Sequence, residues 1–111
     1  MTATKTPKPG RPSRLTRTGR PVMALLDLLG RRWQLRVLWE LSHGVPLRFR
    51  ALQAAAGVSP SVLNARLSEA TEAGVVELTD EGYTLTDEGR ALLTALSPLA
   101  DWAERWAKRS S

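Results

Sequence analysis

Residues 48–74 read RFRALQAAAGVSPSVLNARLSEATEAG. This stretch decides the fold. Phe49 and Leu52 are the buried residues of a short helix from about Arg48 to Ala55, and Gly57 supplies a tight turn. Ser59 has the side chain of an N-cap, and Pro60 suits a first helical position because it has no N–H to leave unpaired. The helix that follows runs to about Ala73. It places Leu63, Leu67 and Ala70 on one face, with Gly74 as its stop. A short helix, a turn and a longer capped helix are the parts of a helix-turn-helix.

Downstream the apolar period changes to two. Val76 and Leu78, then Tyr83 and Leu85, alternate with polar residues around Asp80-Glu81-Gly82, which predicts a small hairpin. Thr86 caps a fifth helix carrying Ala91, Leu92, Ala95 and Leu96. Ser97-Pro98 is expected to restart the chain into a separate last helix with Leu99, Trp102, Ala103 and Trp106 on one face. Upstream, Pro21 opens a first helix with Val22, Leu25, Leu26 and Leu29, which Gly30 ends. A second helix is expected from about Arg32 to Ser42. Trp33, Leu35, Val37, Leu38, Trp39 and Leu41 leave it apolar nearly all round and so predict the central buried helix. The fold class is mainly α with a small β-hairpin wing: a winged helix-turn-helix with N- and C-terminal dimerisation helices.

Composition narrows the function. The chain has 111 residues and no cysteine, which excludes disulfides, thiolate catalysis and zinc–thiolate sites. No apolar run is long enough to cross a membrane, and the charged N-terminus leads into no signal-peptide core, so the expected location is the cytoplasm. The net charge is +5, unevenly spread. Lys5, Lys8, Arg11, Arg14, Arg17 and Arg20 face no acid within residues 1–20, whereas the rest of the chain holds ten basic and eleven acidic residues. The organisation expected is a disordered basic arm, 1–20, and a DNA-binding domain with a C-terminal dimerisation helix, 21–108. A basic arm on a near-neutral body suits a polyanionic partner, with double-stranded DNA foremost.

The second helix of such a pair enters the major groove. At about 100° per residue, the face opposite Leu63 and Leu67 carries Ser61, Asn64, Ala65 and Ser68, with Val62 beside them. Short side chains allow close approach to base edges. Asn can pair with adenine, and methyl groups can touch thymine. Ser59 and the N–H groups at the helix start suit a phosphate. Arg48 is expected to reach another. Arg66 lies towards the core flank, where an ion pair and a DNA contact are both open. Glu69 and Glu72 follow on the groove face and would repel phosphates, so only the first two turns should enter the groove. Val22, Leu25, Leu99, Trp102 and Trp106 are the candidate dimer-interface residues, since a domain this small has little core to absorb two terminal tryptophans. Those tryptophans could instead line an apolar pocket for a small-molecule effector.

Taken together, Gly30-Arg31-Arg32-Trp33, Arg48-Phe49 with Leu52, Val58-Ser59-Pro60, Arg66-Leu67, Gly74-Val75-Val76, Tyr83-Thr84-Leu85-Thr86-Asp87-Glu88-Gly89 and Trp102-Ala103-Glu104-Arg105-Trp106 resemble the HxlR-type winged-helix family. The resemblance implies a prokaryotic homodimeric transcription regulator on a roughly palindromic operator. It also marks departures. Thiol-based sensing in that family uses a cysteine before the second helix, and this chain has none. Ser61 and Ala65 stand where that family often has Lys and Gln. The wing is shortened to a tight turn bearing two carboxylates. Gly10-Arg11-Pro12 and Gly19-Arg20-Pro21 resemble the centre of an AT-hook, with Pro9 and Thr18 in place of its first Arg, which offers the arm as a minor-groove substitute for the wing.

No catalytic constellation is visible. His43 is the sole histidine, set at a helix end, and no acidic spacing suggests a metal or cofactor. The alternative function is a winged-helix protein–protein module with only non-specific DNA affinity, favoured by the acidic wing.

Overall fold

The computed structural model describes residues 19–110. Helices α1 (Arg20–Leu29), α2 (Gln34–Glu40), α3 (Phe49–Ala56), α4 (Pro60–Glu72) and α5 (Asp87–Ser110) surround a two-stranded antiparallel hairpin, β1 (Val76–Thr79) and β2 (Gly82–Leu85). A 3-10 turn, Leu41–His43, extends α2. The core gathers Leu29 from α1, Val37, Leu38 and Leu41 from the second helical unit, Leu52 and Ala56 from α3, Leu63, Leu67 and Ala70 from α4, and Val76 and Leu85 from the hairpin. Leu92, Leu93 and Leu96 of α5 pack against this core, and the winged helix-turn-helix stands as expected.

The second helix departs from expectation. It begins at Gln34, because Trp33 takes a left-handed backbone, φ 73°, and acts as its N-cap. Trp33, Leu35 and Trp39 are 41, 45 and 59% exposed, so α2 buries one face and not its whole circumference. Gln34, a polar residue, is fully buried instead.

The C-terminal part departs too. One continuous helix of 24 residues runs through Pro98, where two helices were expected. A proline in a helix interior forfeits one backbone hydrogen bond and crowds the carbonyl four residues back, but it need not end the helix. Thr86 Oγ1 accepts from Gly89 N (3.0 Å) and donates to Gly74 O (2.6 Å), which caps α5 as expected and pins its start to the end of α4. Asp87 and Glu88 occupy the first turn, where acids suit the helix dipole. Gly89 is buried, and a Cβ there would stand 2.1 Å from the Val75 carbonyl oxygen. Only glycine lets α5 pass so close to the hairpin.

The wing is tight. Val76 pairs with Leu85 and Thr79 with Gly82, leaving Asp80 and Glu81 as the turn. Thr79 Oγ1 donates to Gly82 O and accepts from Glu81 N, closing it. Leu47 and Tyr83 exchange two backbone bonds (3.0 and 2.8 Å), so the chain entering α3 lies along β2 as a single-residue bridge. That contact needs Gly82, at φ 131°, because a Cβ there would stand 2.7 Å from the Leu47 carbonyl.

Candidate nucleic-acid interface

The start of α4 is built as its sequence requires. Ser59 has an extended backbone and its Oγ accepts from Val62 N at 3.2 Å. Leu63 N is bonded to Ser59 O, and Pro60 has no N–H. Of the first-turn donors that were read as a phosphate seat, the cap therefore consumes the Val62 N–H. The Ser61 N–H remains, beside a Ser61 hydroxyl 3.4 Å from that of Ser59.

Ser61, Asn64 and Ser68 are exposed, and Val62 and Ala65 are half-buried. Ser61, Asn64, Ala65 and Ser68 lie on the side of α4 away from the buried Leu63 and Leu67, and Val62 beside them packs partly against the core. The wing stands next to that side. Asn64, Ser68, Thr71 and Glu72 of α4 face Leu78 and Tyr83 of the hairpin across a shallow hollow of about 370 Å³. Leu78 is 63% exposed there. The alternation that pairs it with Val76 suggests burial, but β1 runs off the core after its first residue.

The arginines divide into two kinds. Arg66 is turned inward: Nη2 lies 3.0 Å from Glu69 Oε2, and Nη1 donates to the Arg32 carbonyl at 3.2 Å. Of its two open readings, the ion pair is the contact made. Arg48 is exposed at the N-cap of α3, and its Nη2 donates to the Asp80 carbonyl at 2.8 Å. That bond sets a cation at the acidic wing turn. Arg50 is exposed on α3, a position that sequence reasoning passed over. The signal was available, since Arg50 lies away from Leu52 on the helical wheel.

Gly19-Arg20-Pro21 is a helix start. Met23 N bonds to Gly19 O at 2.8 Å, and Arg20 is the first residue of α1. The second AT-hook-like copy is therefore corrected, because an extended arginine cannot also be helical. Arg20 remains exposed. Arg11 and the first copy lie outside the described residues.

The proposed interface residues also redistribute. Val22 is 55% exposed on α1, but Leu25 packs against the domain's own core, and Leu26, at 52%, shares the outward face with Val22. On α5, Leu99, Trp102 and Trp106 are exposed, and the two indoles stack at 5.9 Å with an 11° interplanar angle. Every residue from 97 to 110 is exposed. An apolar hollow of about 670 Å³ lies between α2 and α5, lined chiefly by Leu35, Trp39, Leu93, Leu96, Leu99 and Ala100. Trp102 and Trp106 do not line it. Among the described residues no His, Cys, Asp and Glu group is placed to hold a metal, and no helix is long and apolar enough to cross a membrane.

A helix-turn-helix with a wing, presenting a capped helix of short side chains, defines a DNA-binding regulator of the winged-helix class. The sequence profile of HxlR-like helix-turn-helix proteins matches residues 28–111, and the chain belongs to that family. Among relatives, it is 35% identical over 89 residues to YvaP of Bacillus subtilis, an uncharacterised HTH-type transcriptional regulator, covering 73% of this chain and 82% of that one. The solved structure of quinone-bound YodB from B. subtilis is similar at a TM-score of 0.72 and 30% identity, over 77% of this chain and 97% of that one. A MarR-family protein of Mycobacterium tuberculosis is similar at 0.65 and 29%, over 85% and 73%.

Proposed function

We propose that the chain acts in the cytoplasm as a homodimeric, sequence-specific regulator that lays α4 in the major groove of a two-fold symmetric operator. One observation carries this reading. Near its N-cap, the outward side of α4 beside the wing carries the short residues Ser61, Asn64, Ala65 and Ser68, with Val62 at its edge, before Glu72 follows. Side chains of that size let a helix backbone approach base edges. Asn64 is assigned to a base edge, and Val62 and Ala65 to thymine methyls. Ser59, Ser61 and Ser68 are assigned to phosphate or base edges. Arg48 and Arg50 are assigned to the backbone beside the groove, and Arg66 to holding α4 in place. Arg20, at the exposed start of α1, is assigned to adjacent phosphates, and Arg11 with the other basic residues of the arm to phosphates or a minor groove.

The dimer reading rests on exposure. Leu99, Trp102 and Trp106 form a stripe on α5 that nothing in the chain covers among the described residues, and Val22 and Leu26 form another on α1. Aromatic residues clustered on a protruding helix fit an interface core. Any small-molecule effector would be held without a thiol, since the chain has no cysteine. The quinone is a ligand of YodB, and for this chain the apolar hollow beside Leu35 and Trp39 is the candidate seat for such a planar apolar molecule. Selection from a random duplex pool tests the main reading. A symmetric site is expected, and recovery of unselected DNA would favour the protein–protein module instead.

A further inference from the structure

The flank of α4 turned towards the α1–α2 junction, beside Val62 and Ala65, holds a polar network outside the proposed base contacts. Glu69 is its hub. Its Oε2 lies 3.0 Å from Arg66 Nη2 and 4.0 Å from Arg31 Nε, and its Oε1 accepts from Gln34 Nε2 at 3.5 Å. Gln34 Nε2 also donates to the Arg66 carbonyl at 3.1 Å, and Arg66 Nη1 donates to the Arg32 carbonyl. Three consecutive features of the α1–α2 junction, Arg31, Arg32 and Gln34, thus grip α4 at residues 66 and 69. Trp33 lies between them in a left-handed backbone, with the Arg32 guanidinium 5.0 Å from its ring centroid. A left-handed backbone is unfavourable for tryptophan, so surrounding contacts hold it there.

Packing alone does not account for these residues. Gln34 is fully buried, yet its Oε1 has no partner, and neither does the buried Nε of Arg66. Apolar residues would fill the same space at lower cost. Glu69 is also badly described as a groove charge, since two arginines already attend its carboxylate.

We propose that Glu69 is a positioning residue that fixes the angle of α4 against the α1–α2 junction, so that a displacement of α1 alters how α4 reads its site. The inference rests on the DNA-binding reading above and assigns it a regulatory linkage. The route is direct: α1 carries Val22 and Leu26 on its outward face, and its C-terminal junction is bonded to α4 two and three turns from the helix start.

The test compares Glu69→Gln with Glu72→Gln. Both remove one negative charge from α4, but Glu72 is exposed and takes no part in the network. The probes are the most enriched duplex from the selection and a scrambled duplex of equal length. Both are measured at one salt concentration and well below the unfolding temperature of each variant. In Glu69→Gln the preference for the selected duplex is expected to fall about tenfold, the middle of the range for coupling residues. In Glu72→Gln affinity should rise for both duplexes alike, with the preference unchanged. Simple loss of folded protein would lower both affinities together and leave the preference alone. If Glu69→Gln behaves as Glu72→Gln does, the positioning role is overturned. If wild type itself shows no preference, it is the DNA reading that fails. Should Glu69→Gln not fold, Arg66→Lys serves instead. It keeps the charge but cannot span Glu69 and the Arg32 carbonyl, and it should lower the preference similarly. An unchanged preference in Arg66→Lys overturns the proposal.

Discussion

Ser59 and Trp33 mark the two extremes of what single residues disclose. The Ser59 cap was legible because its hydrogen bond to Val62 N lies within one turn and is dictated by local sequence. Trp33 was not: its positive φ sits between Arg32 and Gln34, which bond to Arg66 more than thirty residues away, and no local pattern discloses such ties. The same holds for Arg66, whose two open readings were resolved by the Glu69 carboxylate and the Arg32 carbonyl. Gly89 was legible as part of a motif but not as a packing necessity. Its Cβ position, 2.1 Å from Val75 O, predicts that Gly89→Ala destabilises the fold. The cost should be about 3 kcal/mol or more, the upper end for overpacking, seen as a lower urea midpoint. Asn64→Ala should leave that midpoint within about 0.5 kcal/mol, since Asn64 is exposed. It should relax base preference at one position per half-site by about 1–3 kcal/mol, read by competition with single-base operator variants.

Elements with one strong apolar stripe were read well, and elements under tertiary control were not. The α3–turn–α4 unit and the hairpin follow from spacing, caps and the change of period. The Leu47–Tyr83 bridge did not, since a one-residue pairing leaves no alternation to see. The second helix was read as buried all round because its apolar count is high. The structure instead leaves Trp39 and Leu35 on the wall of an open hollow against α5. Pro98 misled the reading of α5, whose stripe in fact continues through it. Because that helix is already continuous, Pro98→Ala should restore a backbone bond and raise the melting temperature. A fall would mean that Pro98 serves a bend that the helix needs. Trp102→Ala with Trp106→Ala should convert the proposed dimer to a monomer in sedimentation, and a wild type that sediments as a monomer would contradict the dimer. Circular dichroism should keep the helical signature of the core, which neither tryptophan joins.

Over the whole molecule, charge and the proposed two-fold symmetry govern the expected behaviour on DNA. The body is nearly neutral and the excess positive charge lies in the first twenty residues. Removing residues 1–18 should flatten the dependence of binding on salt by about 0.9 in log–log slope for each phosphate the arm engages, leaving site preference intact. An unchanged slope would remove the arm from the account. The sequence discloses neither the proposed operator nor what would cover the exposed Trp102–Trp106 stripe, because neither is encoded in this chain's own core. The dimer's two α4 helices should lie about 34–36 Å apart, one turn of B-DNA, to read both half-sites at once. Selection from a random duplex pool at about 150 mM salt, where purely electrostatic binding is weak, tests this most directly. Enrichment of a two-fold symmetric site with half-sites about one helical turn apart is expected. Recovery of unselected DNA, lost steeply as salt rises, would contradict it.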